Sequence, residues 1–413
     1  MSERCIDNFD ASKALQYAKE LAYPRRVGSE GENRAAEYVG WKFRSFELST
    51  WEESFTLSTA CWFWWRIMLG ILILSVTMVY FLAARDPEIS AVLAILTLMG
   101  LSLTGPFRRK MLPRSVEISP SMKGLLNQVF FRPGRLYRSR NVLARLPSPT
   151  QSEGKVRLFL VAHYDTKSQS IPLALRMILV GIFALGTVFI CLWSVLYKGW
   201  PPFAPSGSAQ GAFLWGLTVL AGVTLLLLKA GNASDGAVDN ASGIGLLLHL
   251  AEILAQREAA QDLEVTFVAT GAEEFGLCGA FAYCKAHREE LIGRERTYVL
   301  NLDSLGGRGK LYVVHKAGPL DRKDRLVRTV QEVARRQSVR VRSPLIMLGA
   351  MTDHLPFAAE GIEAATLART FQWAHTSKDR ADQLDPRRIE EAGRIILGVI
   401  EEMRGGSVGH PMR

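Results

Sequence analysis

Two kinds of hydrophobic pattern run along this chain. In the first, residues 67–84, 89–107, 177–197 and 211–228 are apolar throughout and carry no charge. A helix crossing a bilayer core needs about 20 apolar residues, in a range of about 17–25, and all four runs fall within it. They come in two close pairs, one joined by RDPEIS and the other by KGWPPFAPSGSAQ, so each pair predicts a transmembrane α-helical hairpin. Trp62, Trp64, Trp65 and Tyr80 flank or end the first run, and Trp193, Tyr197 and Trp200 end the third. Aromatic side chains gather in this way at a membrane–water interface. The alternative, four buried core helices of a large soluble protein, leaves the pairing unexplained.

The second pattern fills the rest of the chain. Short apolar runs (VRLFLVA, EVTFVAT, TYVLNLD, KLYVV, AATLAR) alternate with helical segments: residues 10–21 and 30–43, GIGLLLHLAEILAQ, and RLVRTVQEVARRQ. Strands alternating with helices predict an α/β fold whose central sheet is mostly parallel and covered by helices. The expected organisation is one body in three pieces, residues 1–60, 108–170 and 230–404. Hairpins at 61–107 and 171–229 interrupt it, and a tail at 405–413 follows it. No internal repeat or low-complexity tract is evident.

Charge and cysteine content narrow the class. The net charge of +10 would suit nucleic acid, but the basic residues are scattered and form no finger, basic-helix or RNA-binding signature. A lipid surface accounts for the excess instead. Arg66, Arg108, Arg109, Lys110, Arg114, Lys167, Arg176 and Lys229 flank the spans on the body side, whereas the connecting loops hold only Arg85 and Lys198. The positive-inside rule then places the body, and both termini, in the cytoplasm. The five cysteines, two of them in apolar runs, make no disulfide framework and favour a reducing compartment. The first residues, MSERCIDNFDASK, lack the apolar core of a secretory signal.

In a parallel α/β sheet, ligands bind at the carboxyl ends of the strands. The residues delivered there are His163 and Asp165 after VRLFLVA, Glu273 and Glu274 after EVTFVAT, and Asp303 at the end of TYVLNLD. Asp239 precedes the helix GIGLLLHLAEILAQ, and His375 follows late in QWAHTSKD. Two histidines with several carboxylates make a hard-to-borderline donor set that suits zinc. Each residue alone is a weak signal, because a lone histidine is usually a packed or surface residue and paired glutamates usually form a solvated face. The remaining histidines, His249, His287, His315, His354 and His410, are given that plain reading.

Together these stretches resemble metallopeptidase family 28, the co-catalytic di-zinc aminopeptidases. RVGSEGENRAAEYV, RNVLARLP, VAHYDT, GAVDNASG, GAEEFGLCGA, NLDSLGG, TDHLPF and AHTSKD occur in the family's order and cover nearly all of the chain outside the hairpins. The resemblance implies a zinc-aminopeptidase-like domain with two zinc ions per chain. It makes His163 and Asp303 ligands of one ion, Glu274 and His375 ligands of the other, and Asp239 the bridge. Glu273 would be the general base acting on the metal-bridging water. Asp165, two residues beyond His163 and so on the same face at strand spacing, would accept the imidazole N–H. Asp353 and His354 are left between a supporting and a loop-shaping role. The sequence departs from the pattern between His163 and Asp239, where soluble members have a short connection and this chain has a whole hairpin.

The expected function is a membrane-anchored aminopeptidase with peptides as substrate and the lipid bilayer as partner. A glutaminyl-peptide cyclotransferase-like enzyme, with a related fold and a single zinc, is the nearest alternative. A catalytically inactive receptor or scaffold would show eroded ligands, which this chain does not. A transporter would place acidic or basic residues inside its spans, and these spans have none.

Overall fold

A computed structural model describes residues 9–111, 135–146, 156–196, 205–257, 263–292, 296–315, 324–344 and 351–405. Tyr197, Lys198, Trp200, Arg114 and His410 lie outside the described residues. The helices are α1 (Ala11–Glu20), α2 (Glu30–Ser45), α3 (Ala60–Leu82), α4 (Pro87–Met111), α5 (Leu173–Leu196), α6 (Ala209–Leu226), α7 (Ser242–Ala255), α8 (Cys278–Ala286), α9 (Arg288–Ile292), α10 (Arg325–Arg336), α11 (His354–Ala359) and α12 (Pro386–Gly405). The strands are β1 (Ser49–Ser58), β2 (Leu136–Arg145), β3 (Val156–His163), β4 (Ser168–Gln169), β5 (Ala230–Gly231), β6 (Leu263–Thr270), β7 (Thr297–Asp303), β8 (Leu311–His315), β9 (Val341–Arg342) and β10 (Glu363–Arg369).

Local chemistry sets several boundaries. Helix α1 starts where the Asp10 side chain accepts the Ser12 N–H, and α2 starts where Ser29 accepts the Glu32 N–H. Both satisfy amide groups that a helix start leaves unpaired. Glu30 and Glu32 sit in the first turn of α2 and Lys42 and Arg44 in its last, which matches the helix dipole at both ends.

Eight strands form one sheet in the order β1-β2-β6-β3-β7-β10-β8-β9. Its centre, β6-β3-β7-β10, is parallel, while β1, β2 and β8 join antiparallel. Strand β3 is buried along its whole length, as a central parallel strand covered on both faces should be. Its alternate residues feed two cores. Leu158, Leu160 and Ala162 pack with α1, α7, α10 and α12, whereas Phe159 and Val161 pack with α8 and α11.

The register aligns the functional ends. His163 lies opposite Thr270 of β6, and the end of β7 at Asp303 lies opposite Ala368 of β10. Three adjacent parallel strands therefore finish at one edge and point their following residues into one space.

The apolar runs form α3, α4, α5 and α6. Trp62–Leu82, Leu173–Leu196 and Ala209–Leu226 are long and apolar enough to cross a membrane, and Pro87–Ser102 within α4 is a shorter apolar stretch. Ala237–Ala255 meets the same criteria of length and composition, but 94% of it is buried in the α/β body, which makes it a core helix. The two hairpins pack into one four-helix bundle. Tyr80 and Trp215 stack at 5.1 Å, the Trp215 Nε1–H donates to Thr77 Oγ1 at 3.3 Å, and Gly222 admits Phe183 and Ile73. A Cβ at Gly222 would lie 2.7 Å from the Phe183 ring, so the small residue is what lets these helices approach. Around the bundle Ile71, Leu74, Met78, Leu185, Phe189 and Leu220 are exposed.

The second hairpin is closed at its base. β4 and β5 pair antiparallel, Ser168 opposite Gly231 and Gln169 opposite Ala230, and Ser170 N donates to Lys229 O at 3.0 Å. The first hairpin leaves from β1, where Thr59 N donates to Arg135 O at 3.0 Å.

Candidate metal centre

The site is built from strand ends and sharp turns. After β6 the backbone turns through Ala272 in the left-handed region (φ 57°, ψ 32°), which swings Glu273 and Glu274 out of the strand direction. His375 is also left-handed, at φ 61°. Non-glycine residues rarely adopt this conformation, and it clusters at functional sites. Asp239 sits in the turn before α7, behind Gly236 at φ 55°, where an added Cβ would lie 2.1 Å from Thr166 Cγ2. The Asp239–Asn240 peptide is cis. The Asn240 side chain knots this turn to β7, accepting from Gly243 N and Ser304 N and donating to Leu302 O.

The predicted ligands meet in two groups that share one residue. His163, Asp239 and Asp303 form the first, and Asp239, Glu274 and His375 the second. Within each group the possible ligand atoms lie within 4.8 Å of one another. Asp239 faces both sides, with Oδ1 3.4 Å from His163 Nε2 and Oδ2 3.3 Å from His375 Nε2. Glu274 Oε1 lies 2.9 Å from His375 Nε2, yet it accepts no hydrogen bond. Two donor atoms that approach closely without aligning are aimed at a common point, as ligands of one ion are. The residues present therefore fit a pair of metal ions.

Electrostatics agrees. Burial pushes Glu273 well above the usual glutamate range against the pull of His163, and Glu274, Asp353 and Asp303 push the same way. Burial and the Asp239 carboxylate push Asp303 up to about 6. Burial opposes charge on His163, but Glu273, Asp165 and Asp239 outweigh it and raise its pKa well above the usual histidine value. Burial also opposes charge on Glu274, which His375 and Lys167 nonetheless hold down at about 2. Buried carboxyls crowded in this way call for positive charge among them, which bound divalent cations supply.

Asp165 differs from expectation in its contacts. β3 ends at His163, so strand alternation does not carry on to Asp165. The His163 Nδ1 lies 3.1 Å from the Asp165 backbone carbonyl and 3.6 Å from its carboxylate. The carboxylate oxygens instead accept the N–H groups of Glu273 (2.9 Å) and Glu274 (3.2 Å). Asp165 thus serves the imidazole through its backbone and the glutamate turn through its side chain. Asp353 is fully buried and accepts from Thr270 Oγ1, and burial pushes it up to about 7. His354 is buried among Thr352 and Thr366, and burial lowers it to about 4.

Three further residues hold the site without having been picked out from the sequence. Lys167 Nζ lies 2.6 Å from Glu274 Oε2. Asp379 accepts the N–H groups of Val238 (2.7 Å) and Asp239 (3.1 Å), and burial and Asp239 push it up to about 7. The buried Arg25 guanidinium donates to the carbonyls of Tyr164, Tyr23, Asp235 and Gly236, which ties the β3 loop to the Asp239 turn. Asp379 closes the AHTSKD stretch and so was visible as a motif member, whereas Arg25 lies one residue before RVGSEGENRAAEYV. Lys167 had no signal beyond being a basic flank.

Comparison with known proteins places this geometry. The profile of peptidase family M28 matches residues 217–400, which include Asp239, Glu273, Glu274, Asp303 and His375. Over that stretch the chain is similar to peptidase family M28. The M28 match begins inside the second hairpin, so His163 and Asp165 lie on the other side of the insertion. Aminopeptidase YwaD of Bacillus subtilis (strain 168) is 29% identical over 180 residues, 41% of this chain; that stretch spans only 38% of the relative. Among solved structures, an aminopeptidase from Aneurinibacillus sp. strain AM-1 superposes with a TM-score of 0.59 at 15% identity, covering 100% of this chain and 99% of that one. A zinc aminopeptidase from Bacillus subtilis gives 0.55 at 15%, covering 97% of each chain. A glutaminyl cyclase from Porphyromonas gingivalis gives 0.52 at 14%, covering 95% of this chain and 98% of that one. At these identities the structural likeness is one of fold.

Proposed function

We propose that this chain is an M28-type, membrane-anchored zinc aminopeptidase that removes N-terminal residues from peptides. The supporting observation is the pair of donor groups sharing Asp239, with Glu273 beside them at the end of β6. His163, Asp239 and Asp303 would hold one zinc ion, and Asp239, Glu274 and His375 the other. When bound, such a metal pair supplies a water of lowered pKa and polarises the peptide carbonyl. Glu273 faces the same cavity, and its carboxylate accepts the proton of the attacking water and returns it to the departing amine. Asp165 fixes the backbone of both glutamates, so that Glu273 and Glu274 keep separate tasks although adjacent. Lys167 takes one oxygen of Glu274 and leaves Oε1 to face His375.

Anchoring is supported by the exposed apolar belt around the bundle, which is larger than an isolated soluble domain tolerates. The basic flanks Arg66, Arg176 and Lys229 favour a cytoplasmic catalytic body, built from residues 1–60, 108–170 and 230–404 with the hairpins lifted out. Its partners are then a peptide and the lipid bilayer, with no part for nucleic acid.

The test is release of N-terminal residues from aminoacyl reporters by the full chain in detergent, with and without a chelator and with zinc restored. Glu273→Gln should lower kcat by at least about 100-fold while zinc content stays near that of the parent. Release that ignores both the chelator and Glu273→Gln would reject the proposal. The fold shared with a glutaminyl cyclase supports a second reading, for which one zinc per chain instead of two would be the sign.

A further inference from the structure

The centre opens into a cavity of about 1590 Å³, larger than the roughly 300–1,000 Å³ of a typical small-ligand pocket. His163, Asp239, Glu273, Glu274, Asp303 and His375 line part of it. Another part of its wall comes from the bundle. Trp62, Trp65 and Leu69 of α3 line it at i, i+3 and i+7, and Leu173, Met177 and Val180 of α5 line it at i, i+4 and i+7. Each set is one stripe along one helix face, and the two stripes belong to different hairpins.

The bundle wall is tied directly to the centre. Gln169 N donates to the carbonyl of His375 at 2.8 Å, and Gln169 Oε1 accepts from Arg176 Nη1, on the first turn of α5, at 2.9 Å. Leu173 and Met177 are therefore two hydrogen bonds from a predicted metal ligand. Their side chains and that of Trp65 are half-buried and Leu69 is buried, whereas Trp62 and Val180 are exposed, so the stripes form a cavity wall centred on Trp65, Leu69, Leu173 and Met177.

We propose that the two stripes form a subsite for apolar residues downstream of the scissile bond, so that preferred substrates are peptides with an apolar segment behind the N-terminal residue. This rests on the aminopeptidase reading. In that reaction the amino end occupies the carboxylate-rich end of the cavity, and the rest of the peptide lies along the remaining wall. A stripe spanning seven helical residues is about 10 Å long. An extended peptide covers about 3.3–3.6 Å per residue, so the wall accommodates about three downstream residues.

The experiment uses the full zinc-loaded chain in nanodiscs. It compares peptides sharing one N-terminal residue and followed by one to five leucines or one to five serines, each kcat/KM being divided by that of an aminoacyl reporter with no downstream residue. The leucine series should exceed the serine series by about tenfold or more, gain through the third downstream position, and then level off. In Met177→Gln and Trp65→Gln proteins this ratio should fall toward that of the serine series. Equal ratios for the two series would overturn the proposal and fit a cavity occupied by lipid. A leucine preference that survives both substitutions would also overturn it, since partition into the bilayer would then explain the selectivity. Absence of reporter hydrolysis in the parent would instead sink the aminopeptidase reading.

Discussion

Replacing Asp379 with alanine separates what holds the Asp239 turn from what holds the fold. The Asp379 side chain accepts two backbone N–H groups, from Val238 at 2.7 Å and Asp239 at 3.1 Å, and the residue is fully buried. Alanine leaves both amides without an acceptor. An unsatisfied buried donor costs about 1–3 kcal/mol, so the pair costs about 2–6 kcal/mol where no water enters. Part of this should be read in metal affinity, because one of the two amides belongs to the residue whose carboxylate both donor groups share. Loss of an outer contact to a ligand lowers metal affinity by about 10–100-fold, equivalent to about 1.4–2.8 kcal/mol. Asparagine keeps one acceptor oxygen and should fall between parent and alanine. The assay is zinc competition against a chromophoric chelator, run beside thermal unfolding of the metal-free protein. Parental zinc affinity with reduced stability would refute the positioning role, and no change in either would refute the worth of the two hydrogen bonds.

Stability should also depend on Glu32, which accepts from Ser139 Oγ and Gly28 N and whose pKa burial raises to about 7. A raised carboxyl favours the protonated folded state, so its contribution is complete below pH about 4.5 and is lost as pH rises through about 7; it amounts to at most about 3 kcal/mol. Unfolding midpoints of Glu32→Gln should lack that slope, and an identical slope in both proteins would exclude Glu32 as its source. Phe159→Ala opens the core between β3 and α8 and should cost about 3–5 kcal/mol, read as a lowered thermal midpoint; a shift equivalent to less than about 1 kcal/mol would mean the site collapses around the gap. Ser206→Cys, in the turn between α5 and α6, should react with an impermeant maleimide added outside intact cells, whereas labelling only after permeabilisation would invert the proposed orientation.

The parallel core was legible because its strands are buried on both faces and so appear as unbroken apolar runs: TYVLNLD is β7 residue for residue, and VRLFLVA falls one residue short of β3. β1 was not legible. Its sequence STWEESFTLS has exposed and half-buried positions over most of its length and pairs only with β2, so neither periodicity nor burial marks it. The candidate donor residues were visible as chemistry at strand ends, and the sheet register explains why they meet in one space. Contacts made by backbone groups were invisible. That the Asp165 carboxylate serves two amides, and that Lys167 faces Glu274, depends on how a loop folds after a strand stops. Packing of the hairpins against each other was equally hidden, because helices apolar on every face look alike from every side.

The ribbon of β4 and β5 gives the second hairpin a narrow neck. Ser168 and Gly231 are cross-strand partners although more than sixty positions apart in the chain, so the α/β body meets the whole insertion as though it were a tight turn. Closure entropy grows only with the logarithm of loop length, and the neck supplies its own hydrogen bonds, so the folding of the body is nearly indifferent to what lies beyond it. Such a module can be lengthened, shortened or exchanged without refolding the enzyme around it. Because Gln169 within the neck also bonds to the carbonyl of His375, a displacement of the hairpin relative to the α/β body would be felt at that histidine.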